Sequence, residues 1–321
     1  MIKASIAGGT GYTAGELIRI LLNHPEVEIE SVLSTTSAGT EVAEVHRDLI
    51  GDISLKFSEK PSDPDVIFLC LGHGLSREFL STTELPERCR IIDLGNDFRL
   101  EPDFGKKRFV YGLTDTFRDE IAGADCVANP GCFATAIQSA ITPLAKNKLL
   151  TDTVEVTAIT GATGAGKKLS QTGHFSYRDN NLSIYKLFTH QHLGEIRRTL
   201  ERIMCSTPPR INFVPFRGDF TRGIFASVYT KWHGGADAAG LYREYYEKSP
   251  FVHVSDKGVS LKEVVNTNKV LLHIETVDGY IHISSVIDNL IKGASGQAVE
   301  NMNLMFGLEQ STGLKLKPSA F

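Results

Sequence analysis

The stretch IKASIAGGTGYTAGELIRILL (residues 2–22) decides the fold. It opens on IKASIA (2–7), a short apolar run of strand length. It closes on a helix whose apolar positions Leu17, Ile18, Leu21 and Leu22 recur at helical spacing. Between them, in GGTGYTAG (8–15), Gly8, Gly11 and Ala14 or Gly15 make a G-x-x-G-x-x-A/G spacing. A glycine turn that leaves a first strand and opens a helix suits the pyrophosphate of a dinucleotide. Glycine lets the backbone approach the phosphates, and the free N–H groups of the helix start supply positive potential. A tight strand-to-helix turn without a ligand has the same spacing, so the pattern alone does not separate the two.

The pattern repeats outward. VEIESVLS (27–34) is a second strand, and DVIFLCLG (65–72), RCRIIDLG (88–95) and ADCVANPG (124–131) are further strands, each running into a glycine-bearing turn. Strands, glycine turns and helices in alternation predict a doubly wound α/β unit with a parallel sheet. From about residue 132 the pattern changes. The helix CFATAIQSAITPLAK (132–146) leads to the strand VEVTAIT (154–160). Longer, more β-branched strands follow in INFVPFRG (211–218), GIFASVYTKW (223–232) and VLLHIETVDGYIHISSVID (270–288). The last splits around Asp278-Gly279, a two-residue hairpin signal. A second α/β domain with a mixed or antiparallel sheet is expected there. The segment NLIKGASGQAVENMNLMFGL (289–308) reads as a helix with the stripe Ala298, Met302, Met305.

With 321 residues the chain has room for two domains, and 41% hydrophobic and 22% charged residues suit a globular enzyme. A formal net charge of −4 argues against a nucleic-acid or membrane-surface binder, which needs a basic face. No apolar run has the ~20 residues of a membrane span. No basic-then-apolar leader precedes the first strand. The five cysteines, Cys70, Cys89, Cys126, Cys132 and Cys205, are odd in number and scattered, without a C-x-x-C pair. No disulfide framework or structural zinc is expected from them, and a reducing, cytoplasmic setting is.

The second strand ends in Ser34, Thr35, Thr36 and Ser37, where NAD sites often place an acid for the ribose 2′-hydroxyl. Hydroxyls and backbone N–H groups accept a 2′-phosphate and no carboxylate repels it, so NADP is expected as cofactor. In NPGCFATA (129–136), Cys132 follows a Pro-Gly turn and begins a helix, a setting that stabilises the thiolate. A buried, inert thiol is the competing reading for Cys132 taken alone. A nucleophile needs a base, and FTHQHLGEI (188–196) offers His190, His192 and Glu195. His190 is the candidate acid–base group and Glu195 the carboxylate that fixes its ring. A metal at these three residues is disfavoured, because no further His/Cys cluster accompanies the H-x-H spacing. GATGAGKK (161–168) imitates a P-loop but carries Lys168 where magnesium needs a hydroxyl. It reads instead as a glycine turn for a substrate anion, with Lys167 adding charge.

Together GGTGYTAGEL, DLGNDFRL, NPGCFATA, GATGAGKK, FTHQH, DFTRGI and IDNLIKGASGQA occur in the order of the N-acetyl-γ-glutamyl-phosphate reductase family, which the chain resembles over nearly its whole length. That arginine-pathway family is related to aspartate-semialdehyde dehydrogenase. The resemblance implies a Rossmann-like NADP domain at 1–131 and 289–321, its last helix returning to the first half, and an α/β catalytic and oligomerisation domain at 132–288. It implies a homodimer or homotetramer acting on a small N-acyl-γ-glutamyl phosphate, reduced to the semialdehyde through a cysteine thioester, with neither nucleic acid nor membrane as partner. On matching positions, Cys132 is the nucleophile, His190 the acid–base residue and Glu195 its neighbour. The dinucleotide falls to Gly8, Gly9, Thr10, Gly11, Tyr12, Thr13, Ser34, Ser37, His73, Gly74 and Asn289, with Lys292 near the nicotinamide. The substrate falls to Arg99, Asn129, Gly164, Lys167, His192 and Arg222, with Arg99 on phosphate and Arg222 gripping the α-carboxylate. The rival readings are an aspartate- or lysine-pathway semialdehyde dehydrogenase and a non-catalytic NADP-binding regulator.

Three features depart from the family pattern. Phe133-Ala134 replaces Tyr-Pro after the cysteine, Arg178 lies in HFSYRDNNLSIYK (174–186), and Arg217 lies in PFRGD. The two arginines suit a substrate whose N-acyl group bears its own carboxylate, as succinyl does, although each alone also reads as an ordinary solvated side chain.

Overall fold

A computed structural model describes residues 1–319. The chain divides into two compact units, residues 1–130 with 294–315, and residues 131–293 with the tail from 316. The divisions fall at 130/131 and 293/294, where 131/132 and 288/289 were expected, and the tail goes with the second unit.

In the first unit, β1 (Ile2–Ala7) runs into α1 (Tyr12–Leu21), and β2 (Val27–Leu33), the single turn α2 (Val42–Val45), β3 (Val66–Leu69), α3 (Ser76–Thr82) and β4 (Arg90–Asp93) follow. After a small hairpin of β5 (Asp103–Phe104) and β6 (Lys107–Arg108), β7 (Val110–Tyr111), α4 (Thr114–Ala122) and β8 (Cys126–Ala128) complete the strands. The main sheet has the order β2-β1-β3-β4-β8-β7 and every pairing is parallel. β3 is buried at all four positions, as a strand covered on both faces must be. The chain leaves β1 for β2 on one side and returns to β3 on the other. The turn after β1 therefore sits at the topological switch point, where open α/β sheets bind ligands.

The second unit begins with α5 (Cys132–Lys146), which is buried from Phe133 to Ala145. β9 (Val154–Thr160), the single turn α6 (Phe175–Arg178) and the short β10 (Ser183–Ile184) lead to α7 (His192–Met204). Then come β11 (Ile211–Arg217), β12 (Ile224–Lys231), α8 (Ala238–Tyr245), β13 (Val252–Ser255), β14 (Val270–Val277) and β15 (Tyr280–Ile287). The sheet order is β10-β11-β9-β12-β15-β14-β13; β9–β11 and β14–β13 pair in parallel, and the other neighbours are antiparallel. β12 and β9 alternate buried and less buried residues, the signature of a sheet with one covered face. Asp278 (φ 48°) and Gly279 (φ 78°) both occupy the left-handed region that a two-residue hairpin of matching twist demands.

The chain re-enters the first unit through a π turn over Ile291–Ser295 and α9 (Gly296–Met305), where the sequence reads as one helix from 289. All ten residues of α9 are buried. Two of its polar side chains are paired inside the unit: Asn303 Oδ1 lies 3.0 Å from His24 Nε2, and Gln310 Nε2 donates to Glu300 Oε1 at 2.8 Å. Among the described residues no helix is long and apolar enough to cross a membrane.

Candidate active site

In the first unit, Gly8 adopts φ 79°, and a Cβ there would lie 2.6 Å from the Cys70 carbonyl oxygen. Only glycine lets the chain turn so close to β3. The Gly9 N–H donates to the Leu33 carbonyl at 2.9 Å, which fixes Thr10 and Gly11 at the start of α1. Gly11 caps α1 without a side-chain hydrogen bond, and no acid occupies the first turn with Tyr12 and Thr13. The amide end of α1 thus has no carboxylate of its own and fits a phosphate. After β2, Ser34 Oγ accepts the Ser37 N–H at 3.1 Å in a hydroxyl-lined bend. After β3, Gly74 (φ 87°) donates its N–H to Asp97 Oδ2 at 2.9 Å, next to exposed His73. These groups all lie past the carboxyl ends of adjacent parallel strands, and they fit a dinucleotide.

Arg99 and Asn129 belong to this unit and are buried. Arg99 donates Nε to the Asn129 carbonyl at 2.9 Å and Nη2 to the Leu94 carbonyl at 3.0 Å. Asn129 donates Nδ2 to the Ala294 carbonyl at 3.1 Å and accepts from Asn301 Nδ2 at 2.9 Å. Both were expected at the substrate; here these atoms brace the backbone that leads into Pro130-Gly131.

In the second unit, Cys132 is the first residue of α5 and Gly131 is its N-cap. The Gly131 N–H donates to Glu195 Oε2 at 3.0 Å. A Cβ on Gly131 would lie 2.3 Å from His192 Nε2, and one on Gly293 would lie 2.7 Å from the Cys132 Cβ, so glycine is required on both sides of the thiol. The remaining cysteines are poor nucleophiles. Burial pushes the Cys70 and Cys89 thiols up to about 12 and the Cys126 thiol up to about 11. Cys205 is exposed at the carboxyl end of α7, where the helix field disfavours an anion.

His190 is buried among rings, edge-to-face with Phe133 at 5.3 Å, Tyr185 at 5.7 Å, Phe213 at 5.5 Å and His192 at 4.5 Å. Burial above all, then the charges of His192 and Lys186, lowers its pKa to about 3, against a raising contribution from Glu195. The ring is therefore neutral near pH 7. Its Nδ1 accepts the His192 backbone N–H at 3.2 Å, which assigns the proton to Nε2. The sequence expectation made His190 the base for the thiol with Glu195 as its orienter. The geometry corrects both parts: neutral His190 is an Nε2–H donor, and Glu195 Oε1 faces His192 Nε2 at 3.9 Å while Oε2 holds Gly131. Tyr185, which no motif singles out, joins the group; its phenol is raised by burial and then by the charge of Cys132.

The glycine turn after β9 forms a 3₁₀ turn over Ala162–Ala165, with no α-helix behind it to cradle a triphosphate. Gly164 and Lys167 are exposed. Asn289, expected at the cofactor, is buried and accepts the Gly223 N–H at 2.6 Å while donating to Thr163 Oγ1 at 3.1 Å. Its amide thus ties the glycine turn to β12. Buried Lys292 lies 5.6 Å from the Phe251 ring centre. Arg222, expected to grip a substrate carboxylate, gives Nε and Nη2 to Asp288 at 3.1 and 3.2 Å. That edge of its fork is already filled. Among the described residues no group of three His, Cys, Asp or Glu side chains is placed to hold a metal.

Residues 3–124 match the family model described as the semialdehyde dehydrogenase NAD binding domain, and 132–289 match its dimerisation domain. Proteins named N-acetyl-gamma-glutamyl-phosphate reductase from Christiangramia forsetii and Bacteroides thetaiotaomicron are 53% and 52% identical to the chain over the full length of both partners. Among solved structures, aspartate semialdehyde dehydrogenase II from Vibrio cholerae, complexed with ASA, superposes with a TM-score of 0.74 at 16% identity, covering 96% of this chain and 98% of that one. The Candida albicans aspartate semialdehyde dehydrogenase with NADP gives 0.69 at 15% identity, covering 95% and 98%. The likeness to these structures is one of fold, and the relatives that match end to end narrow it: the chain belongs to the N-acetyl-gamma-glutamyl-phosphate reductase family of semialdehyde dehydrogenases.

Proposed function

We propose that the protein reduces an N-acyl-γ-glutamyl phosphate to the N-acyl-glutamate 5-semialdehyde and phosphate, with NADPH as reductant, in arginine biosynthesis. The observation that carries this reading is the placement of Cys132 at the start of α5, in the unit where His190 is held neutral with its proton on Nε2. The Cys132 thiolate, favoured at the start of α5, adds through Sγ to the acyl-phosphate carbonyl carbon, and the C–O bond to phosphate breaks with its electron pair leaving on the phosphate, so that a thioester remains on Cys132. The first-turn amides of α1 and the hydroxyls of Ser34 and Ser37 would hold the dinucleotide. When bound, its reduced nicotinamide supplies the hydride that the thioester carbon accepts. His190 Nε2–H donates to the oxygen as negative charge builds there, and keeps its proton throughout. The alkoxide then collapses, the C–S bond breaks, and the semialdehyde leaves Cys132 as the thiolate. Glu195 and His192 position this machinery, one through the Gly131 amide and the other by packing on Gly131.

The test is phosphate-dependent NADP reduction with an N-acylated glutamate semialdehyde. The wild-type protein turns it over, and Cys132→Ala loses at least ~10³-fold in kcat while binding NADPH with unchanged Kd. Wild-type-like turnover in that variant would remove the thioester. We also read the second unit as the contact surface of a homodimer or homotetramer, supported by its match to a dimerisation domain and checked by light scattering. Five cysteines that form no disulfide among the described residues support a reducing, cytoplasmic location.

A further inference from the structure

Arg178 and Arg217 play no part in the scheme above, yet the fold sets them side by side. Arg217 ends β11 and pairs in register with Thr160, the last residue of β9. Arg178 ends α6 and donates Nη2 to the carbonyl of that same Thr160 at 3.3 Å. The two guanidiniums thus share the carboxyl end of a parallel strand pair, beside the glycine turn that starts at Gly161. Among the described residues neither has a carboxylate within ion-pair distance, and the buried Nε of Arg178 has no hydrogen-bond partner. The acid whose charge acts on Arg178, Asp219, already accepts the Asn180 N–H at 2.8 Å. Two like charges this close repel unless an anion lies between them, and two planar forks without a carboxylate make a ready carboxylate site.

The position says which carboxylate. The Arg217 guanidinium stacks 3.9 Å from the centre of the Tyr185 ring, whose other neighbours are His190, at 5.7 Å, and the charge of Cys132. The arginine pair is one aromatic ring away from the reacting groups. In the substrate the α-carboxylate carbon is only four bonds from the reacting carbon. A carboxylate at the end of a four-carbon acyl chain is eight bonds away, about 10 Å when extended. Resting on the reductase reading above, we infer that Arg178 and Arg217 bind the distal carboxylate of an ω-carboxyacyl group, of the succinyl type, carried on the substrate's α-nitrogen. Tyr185 forms the wall along which that acyl chain runs.

The experiment measures phosphate-dependent NADP reduction with N-succinyl- and N-acetyl-glutamate semialdehyde. We expect wild-type kcat/KM to favour the succinyl substrate at least tenfold. Arg178→Gln and Arg217→Gln each collapse that ratio at least tenfold, chiefly through KM, and Arg217→Lys restores part of it. NADPH binding by fluorescence verifies that each variant is folded. A wild-type preference for acetyl overturns the inference while leaving the reductase reading intact. An equal loss on both substrates also overturns it, because the arginines would then serve a group common to both. Turnover of neither substrate by wild type discards both proposals.

Discussion

His190 is a histidine that the fold keeps uncharged, and its burial links the chemistry of the site to stability. With a pKa of about 3 in the folded chain against an ordinary 6.5, the unfolded chain binds the extra proton between those two values. Stability therefore rises with pH through that window, is fully present above it, and is lost as pH falls, at up to ~1.4 kcal/mol per pH unit from this one group. Calorimetry at pH 7 and pH 5 is expected to show a larger drop in Tm for the wild type than for His190→Gln; equal drops would mean that the ring protonates freely in the native state. Removing the donor is also expected to lower kcat by about 10²-fold or more, the usual cost of losing one oxyanion contact. Cys132 was legible in the sequence because its setting is local: a Pro-Gly turn opening a helix. The partners of Glu195, Arg222 and Asn289 were not. His192 and Glu195 stand three residues apart on one face of α7, whereas His190 precedes the helix, and which imidazole the carboxylate faces depends on how α7 packs on α5. The Asp288 that fills the Arg222 fork lies 66 positions away, and no spacing rule anticipates it.

Strands and turns were legible wherever one short signal decides the backbone. The Asp278-Gly279 pair predicted the β14–β15 hairpin, and both residues take the positive φ that its turn requires. Gly279→Ala is expected to cost about 1–2 kcal/mol in urea unfolding, since alanine must enter the left-handed region there. The β1–α1 turn is more demanding, because Gly8 combines φ 79° with a carbonyl oxygen 2.6 Å from any added Cβ. Gly8→Ala should lose at least ~2 kcal/mol and weaken NADPH binding at least tenfold, as the turn moves off β3 and takes the α1 amides with it. A variant that keeps the parent's cofactor affinity would mean that this turn is not the phosphate site. The π turn ahead of α9 was missed, since an extra backbone residue in a helix leaves the apolar periodicity of the following turns unchanged.

The order of the units along the chain governs the molecule as a whole. Residues 294–315 complete the first unit only after residues 131–293 of the second have been passed. α9 contributes Ala298, Val299, Met302, Leu304 and Met305 to the interior, each large apolar side chain giving about 1.5–3 kcal/mol on burial. A protein ending at Gly293 is therefore expected to lose NADPH binding, and limited proteolysis should degrade residues 1–130 ahead of 131–293. Full cofactor affinity in that truncation would refute the dependence. The same arrangement bears on synthesis at the ribosome. The first 130 residues emerge as strands and helices lacking a core helix, and they must wait, open to chaperones and proteases, until residues 294–315 clear the exit tunnel. The nucleophile-bearing unit can mature ahead of it; the nucleotide-binding unit reaches its native state only once residues 294–315 have been made.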